Sequence, residues 1–140
     1  MCIRDRANGV PMGRGVRSIA RGGGEAATTT QRFSTRVLCA DLANKKMHPF
    51  INEVHVRSLD EAGDLAGHPG EEFLYVLDGS LVLHTEYYAP LLLEAGDSIY
   101  FDGNMRHAYA ADGKGPARFL VLTTDEAGAH PIHDEDMQDP

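Results

Sequence analysis

The side chains of this 140-residue chain that could do chemistry gather in two stretches, HPGEEFLYVLDG (His68 to Gly79) and GDSIYFDGNMRH (Gly96 to His107). Among their side chains are two imidazoles, His68 and His107, and the carboxylate of Glu72. Such a set holds Fe(II), Mn(II) or a similar divalent ion while leaving other coordination positions open. The competing reading is a metal-free pocket in which the same groups bond to a ligand or to one another. No Ser or Thr sits in a nucleophile elbow. The glycine run at 22–24 lacks the preceding strand and following helix of a phosphate-cradling loop.

The elements that must position these groups read as strands. From residue 33 to 124 the chain breaks into short Val, Ile, Leu, Phe and Tyr runs separated by Gly, Asp and Pro. They predict strands at 35–40, 49–57, 72–77, 80–86, 90–93, 98–101, 107–110 and 117–123, with only a weak helix at 58–65, interrupted by Gly63. Eight short strands suggest an all-β sandwich or closed barrel. Asp78-Gly79 reads as a two-residue type I′ turn, which sets Val76 against Leu81, Leu74 against Leu83 and Glu72 against Thr85. One face then carries Glu72, Leu74, Val76, Leu81, Leu83 and Thr85; the other carries Phe73, Tyr75, Leu77, Val82 and His84. Both faces are apolar, so the Glu72 face should line the interior while the other meets a further layer or a second subunit. A homodimer through Phe73, Tyr75, Leu77 and Val82 is the expectation.

Tyr109 alternates with His107 and should point inward as a pocket wall, with Arg106 pointing outward. His84 lies on the face away from Glu72 and reads as packing or interface. His48 and His55, on or beside an early strand, read as surface or core residues, although one of them could approach the site. His130 and His133 precede the acidic run DED in a solvated tail.

The formal net charge of -8 is unevenly distributed. Seven arginines stand against Asp5 and Glu25 in residues 1–36, while residues 37–140 hold six basic and nineteen acidic side chains. An acidic domain grips phosphates poorly, so no specific nucleic-acid binding is expected. Apolar runs are too short for a membrane span or signal peptide, and Cys2 and Cys39 read as free thiols, which together suggest a cytoplasmic protein without membrane association. Residues 1–32 read as a flexible Gly/Arg-rich tail or linker, 33–124 as the folded domain and 125–140 as an acidic tail. The opening MCIRDR is unlike a natural start and suggests a fragment.

The two chemistry-bearing stretches resemble the cupin superfamily. His68, Glu72 and Gly79 match the second half of its first motif, and Gly96 and His107 match the ends of its second. Asp102 and Asn104 replace the usual Pro and Gly, and Ala66 replaces the first histidine. The resemblance implies a cupin-type double-stranded β-helix, or jelly-roll barrel. It also implies a possible divalent metal (Fe, Mn, Zn or Ni) held by His68, Glu72 and His107, with Tyr109, Glu72 and His107 contacting a ligand. A narrower likeness, in DLANKKM, HPGEEFLYVLDG, HTEYYAPLLLEAGDSIYFDGNMRHAY and ARFLVLT, is to the C-terminal cupin sensor of bacterial XRE-type regulators. It implies a small-molecule effector-binding module of a transcriptional regulator whose helix-turn-helix is absent from this chain, with no catalytic residues. The alternatives are a stand-alone metal-dependent cupin enzyme, such as a dioxygenase or isomerase, and a catalytically silent dimerisation cupin.

Overall fold

In a computed structural model of the chain, residues 10, 11, 13, 15–30 and 32–124 are described, with only the backbone of 10 and 11. The strands are β1 (Val10–Pro11), β2 (Thr28–Thr29), β3 (Phe33–Val37), β4 (Leu42–Ala43), β5 (Met47–Val54), β6 (Glu71–Asp78), β7 (Ser80–Thr85), β8 (Leu91–Glu94), β9 (Ser98–Asp102), β10 (His107–Asp112) and β11 (Ala117–Thr124). One helical turn, α1 (Leu59–Ala62), is capped by the Ser58 side chain, which accepts from the Glu61 amide, and ends at Gly63. It is all that forms of the weak helix expected at 58–65. Among the described residues no helix is long and apolar enough to cross a membrane.

Two antiparallel sheets face each other, ordered β2-β3-β5-β11-β6-β9 and β10-β7-β8. β1 and β4 form a separate parallel pair. Strand alternation sends Leu74, Val76, Leu81, Leu83, Phe119 and Val121 into the space between the sheets, where each is at most 1% exposed. Leu93 and Phe101 close the same core. The expected jelly-roll architecture is therefore present, and the eight expected strands recur with shifted ends. The strand expected at 35–40 starts earlier, at Phe33, and stops at Val37 because the chain turns at Cys39, whose φ is 54°. Two short strands, β1 and β2, lie within the stretch read as a tail.

The Asp78-Gly79 hairpin is corrected by the structure. β6 pairs with β11 and β9, whereas β7 pairs with β10 and β8, so the two strands belong to opposite sheets. Gly79 is a corner: only it has positive φ (79°), and a Cβ there would lie 2.4 Å from the Pro116 carbonyl oxygen. A type I′ turn needs positive φ at both central residues, and Asp78 lacks it. The face assignment survives the wrong pairing. Period-2 alternation is a property of each strand alone, so Glu72, Leu74, Val76, Leu81 and Leu83 are all buried.

β3 extends the large sheet beside β5 and does not cover its outer face. On that face Phe73 stands opposite Tyr100 and Leu122, and Tyr75 opposite Ser98 and Leu120. Tyr75, Leu77 and Tyr100 remain exposed.

Candidate metal centre

Three elements deliver the site. β6 turns Glu72 inward, β10 begins with His107, and the segment before β6 carries His68. That segment is tied to β10 by a two-bond bridge, with Ala66 N donating to His107 O and His107 N donating to Ala66 O, both at 3.1 Å. The His68 amide donates to Gly103 O at 2.8 Å. Gly103 is essential to this approach: a Cβ there would meet the His68 ring at 2.4 Å. The second motif thus has a glycine one place before Asn104, and His68 uses the space it leaves.

His68, Glu72 and His107 each present one donor atom, all within 4.8 Å of one another. Glu72 Oε1 lies 2.8 Å from His68 Nε2 and 3.4 Å from His107 Nε2. Each imidazole is oriented from behind, because His107 Nδ1 lies 2.7 Å from Met105 O and His68 Nδ1 lies 3.1 Å from Pro69 O. A carbonyl only accepts, so both Nδ1 atoms carry protons and both Nε2 atoms aim toward the same carboxylate oxygen. Two neutral imidazoles would set lone pairs against that oxygen. A divalent cation, or protonation of a ring, resolves the conflict, and backbone-anchored Nδ1–H groups are the usual support of histidine ligands. The donor set therefore fits a divalent metal ion.

The carboxylate is 2% exposed and charged. Burial pushes its pKa up, but hydrogen bonds from His107, His68 and Tyr109 outweigh this and bring it down to about 2. His68 is raised by its bond to Glu72, against the effect of burial. Tyr109 is raised well above the ordinary phenol value by burial and by the Glu72 charge. Its hydroxyl donates to Glu72 Oε2.

A cavity of about 360 Å³ opens on these groups, lined also by Phe50, Asn52, Thr123 and Thr124. The sequence reading missed these four. The signal was available for Asn52, which sits at the inward phase between Phe50 and Val54 on β5 and is 6% exposed. The Thr35 hydroxyl donates to Asn52 Oδ1 at 2.6 Å, which leaves the Asn52 amide N–H groups for the cavity.

Tyr109 is where the alternation placed it, and Arg106 points away, its Nε donating to Glu86 Oε2 at 3.2 Å. His84 is paired with Ala108 on the neighbouring strand and does not join the cluster. His48 lies opposite Thr123, and His55 is exposed beside Glu53; neither replaces the ligand missing at Ala66. Cys39 has its thiol 3.6 Å from Ser18 O. Cys2, His130 and His133 lie outside the described residues.

Two facing antiparallel sheets around an inward His, Glu, His cluster define a cupin. Residues 55–123 match the cupin domain family, and the chain carries a cupin domain. It is 32% identical over 78 residues to (S)-2-hydroxypropylphosphonic acid epoxidase from Streptomyces wedmorensis, a match covering 53% of this chain and 39% of that protein. The solved structure of that organism's epoxidase superposes with a TM-score of 0.57 at 25% identity, covering 66% of this chain and 51% of the other. The Fe(II) form of HppE shares the fold, with a TM-score of 0.65 at 21% identity over 80% of this chain and 62% of the other. The chain spans about two fifths of the length of the curated relative. The curated match corrects the expectation of a regulator's sensor domain: that relative is an epoxidase, which favours the enzyme alternative over the sensor.

Proposed function

We propose that this chain is a metal-dependent cupin enzyme in which His68, Glu72 and His107 hold a divalent ion, Fe(II) foremost. The observation that carries this reading is the shared oxygen: two imidazoles, both anchored through Nδ1, direct Nε2 at Glu72 Oε1. When bound, a divalent ion in such a set supplies Lewis-acid or redox chemistry at its open positions. The protein's own groups then have distinct tasks. His68 and His107 fix the ion against Glu72, Asn52 offers N–H groups to an acceptor oxygen of a substrate, and Phe50 gives the cavity an apolar wall. The ion and the Asn52 donors together suit a small substrate carrying oxygen donors, of the kind named for the epoxidase relative.

Elemental analysis of protein purified without chelator or affinity tag tests the metal. About one divalent ion per chain is expected in the parent and none in Glu72→Ala, since the only carboxylate of the set is gone. Oxygen consumption by the Fe(II)-loaded protein, with (S)-2-hydroxypropylphosphonic acid as probe, tests the reaction class; uptake in the parent and none in Glu72→Ala is the expected result. A parent that takes up no metal would overturn the reading.

We also infer that the outer face of the large sheet meets a second copy of the chain. The uncovered Tyr75, Leu77 and Tyr100, continuous with Phe73, Leu120 and Leu122 across β9, β6 and β11, support it.

A further inference from the structure

The metal reading above assigns three ligands but leaves open how Glu72 offers its two oxygens. The carboxylate is divided. Oε1 faces both histidine Nε2 atoms, and Oε2 receives the Tyr109 hydroxyl. The phenol has little freedom to release it. Tyr109 lies edge-on to the His107 ring at 5.6 Å between centroids and against Phe119 at 5.0 Å. Phe119 is itself fully buried, and β10 holds Tyr109 in register opposite Leu83 on β7. A ring held from two sides delivers its hydroxyl to one place.

Resting on the metal reading, we propose that Tyr109 is a positioning residue: its hydroxyl occupies Glu72 Oε2, so that the carboxylate meets the metal through Oε1 alone. Two inward residues of β10 then divide the work, His107 binding the ion and Tyr109 setting the denticity of the carboxylate opposite. Keeping one carboxylate oxygen occupied preserves an open coordination position that a bidentate carboxylate would fill. Partners of this kind, outside the ligands themselves, are worth roughly 10- to 100-fold in metal affinity.

Tyr109→Phe isolates the hydroxyl, because the ring that packs on Phe119 and His107 stays. The metal-free parent, Tyr109→Phe and Glu72→Ala proteins are titrated with Co(II) and followed by visible absorption, with thermal melts alongside. The parent is expected to bind one Co(II) and Glu72→Ala none. Tyr109→Phe should bind roughly 10- to 100-fold more weakly and with an altered visible spectrum, while its melt keeps a single cooperative transition. A merely structural tyrosine would not move the spectrum. The same affinity and spectrum in Tyr109→Phe and the parent would overturn the positioning role while leaving the metal site standing. No Co(II) uptake by the parent would overturn the metal reading, and the positioning role with it. A tyrosinate-to-metal charge-transfer band in the Fe(III)-loaded parent, lost in Tyr109→Phe, would make Tyr109 a ligand and likewise overturn the proposal.

Discussion

β6 has two faces that are similar in residue type and opposite in fate. Inward it presents Glu72, Leu74 and Val76, at 2%, 0% and 0% exposure; outward it presents Phe73, Tyr75 and Leu77, the last two nearly 40% exposed. By composition the outer face is the more apolar and the more aromatic, yet the only carboxylate of the six is the one that is buried. Burying an ionised carboxylate is costly unless opposed charge and hydrogen bonds offset it. Around Glu72 they do, through two imidazoles and a phenol. Among the described residues nothing covers Tyr75 and Leu77. A buried charge marks a site and an uncovered apolar stripe marks a surface, and both are more informative than the ordinary leucines beside them.

If the contrast is one of packing, truncation should register on one side only. Leu74→Ala removes a fully buried side chain between the sheets and should cost about 2–5 kcal/mol of stability. Leu77→Ala, at a position 38% exposed, should stay within about 0.5 kcal/mol. Denaturant titrations of the two variants measure both. Similar losses would mean that the outer face is covered in solution more completely than this chain alone covers it.

Acid distinguishes the same two faces electrostatically. In the metal-free protein the Glu72 pKa is lowered from 4.5 to about 2, so its contribution to stability is present above pH 4.5 and lost as pH falls toward 2. His68 is shifted the other way. Its contribution is complete below pH 6.5 and is lost as pH rises through its raised value. The pair therefore stabilises most between about pH 4.5 and 6.5. With chelator present, melting temperatures of the parent should decline from pH 4.5 to pH 2 more steeply than those of Glu72→Gln. Glu71→Gln changes the neighbouring carboxylate on the outer face, which the Tyr100 hydroxyl meets in the open, and should leave the decline unchanged. A parent and a Glu72→Gln variant with parallel acid profiles would show that the buried carboxylate is not held as described.

The inward set was legible because it needs only the alternation within each strand. Glu72, Leu74, Val76, Leu81 and Leu83 keep their phase whatever they pair with. Pairing was not legible. Asp78-Gly79 carries the local chemistry of a tight hairpin, but the approach of Pro116 to Gly79 makes it a corner between sheets, and Pro116 lies 37 positions away in the chain. The ligand trio could be read from motif spacing, whereas Asn52 shows in the sequence only as an inward polar position on β5 and reaches the site, like Thr123 on β11, through the sheet order. Function was misread for a related reason. A fold with one inward pocket serves sensing and catalysis alike, and the choice lay in a relative rather than in any residue of the barrel.

The smallest expected effect concerns the outer face, where stability should barely respond and association should. Tyr75 and Leu77 stand on one strand at successive outward positions, with Tyr100 on the neighbouring β9 adding a further exposed ring. Replacing Tyr75 and Leu77 together by Ser removes apolar surface that water already reaches in the single chain, so the folding of that chain should change by less than about 1 kcal/mol. At a two-fold contact each substitution occurs twice, which magnifies the loss of association relative to the loss of fold. Sedimentation velocity over a wide concentration range should show the parent as a dimer and the double variant shifted toward monomer, with metal content at parental level. A parent that sediments as a monomer throughout would leave the stripe as exposed surface and remove the dimer from the reading, without touching the site on the other side of the strand.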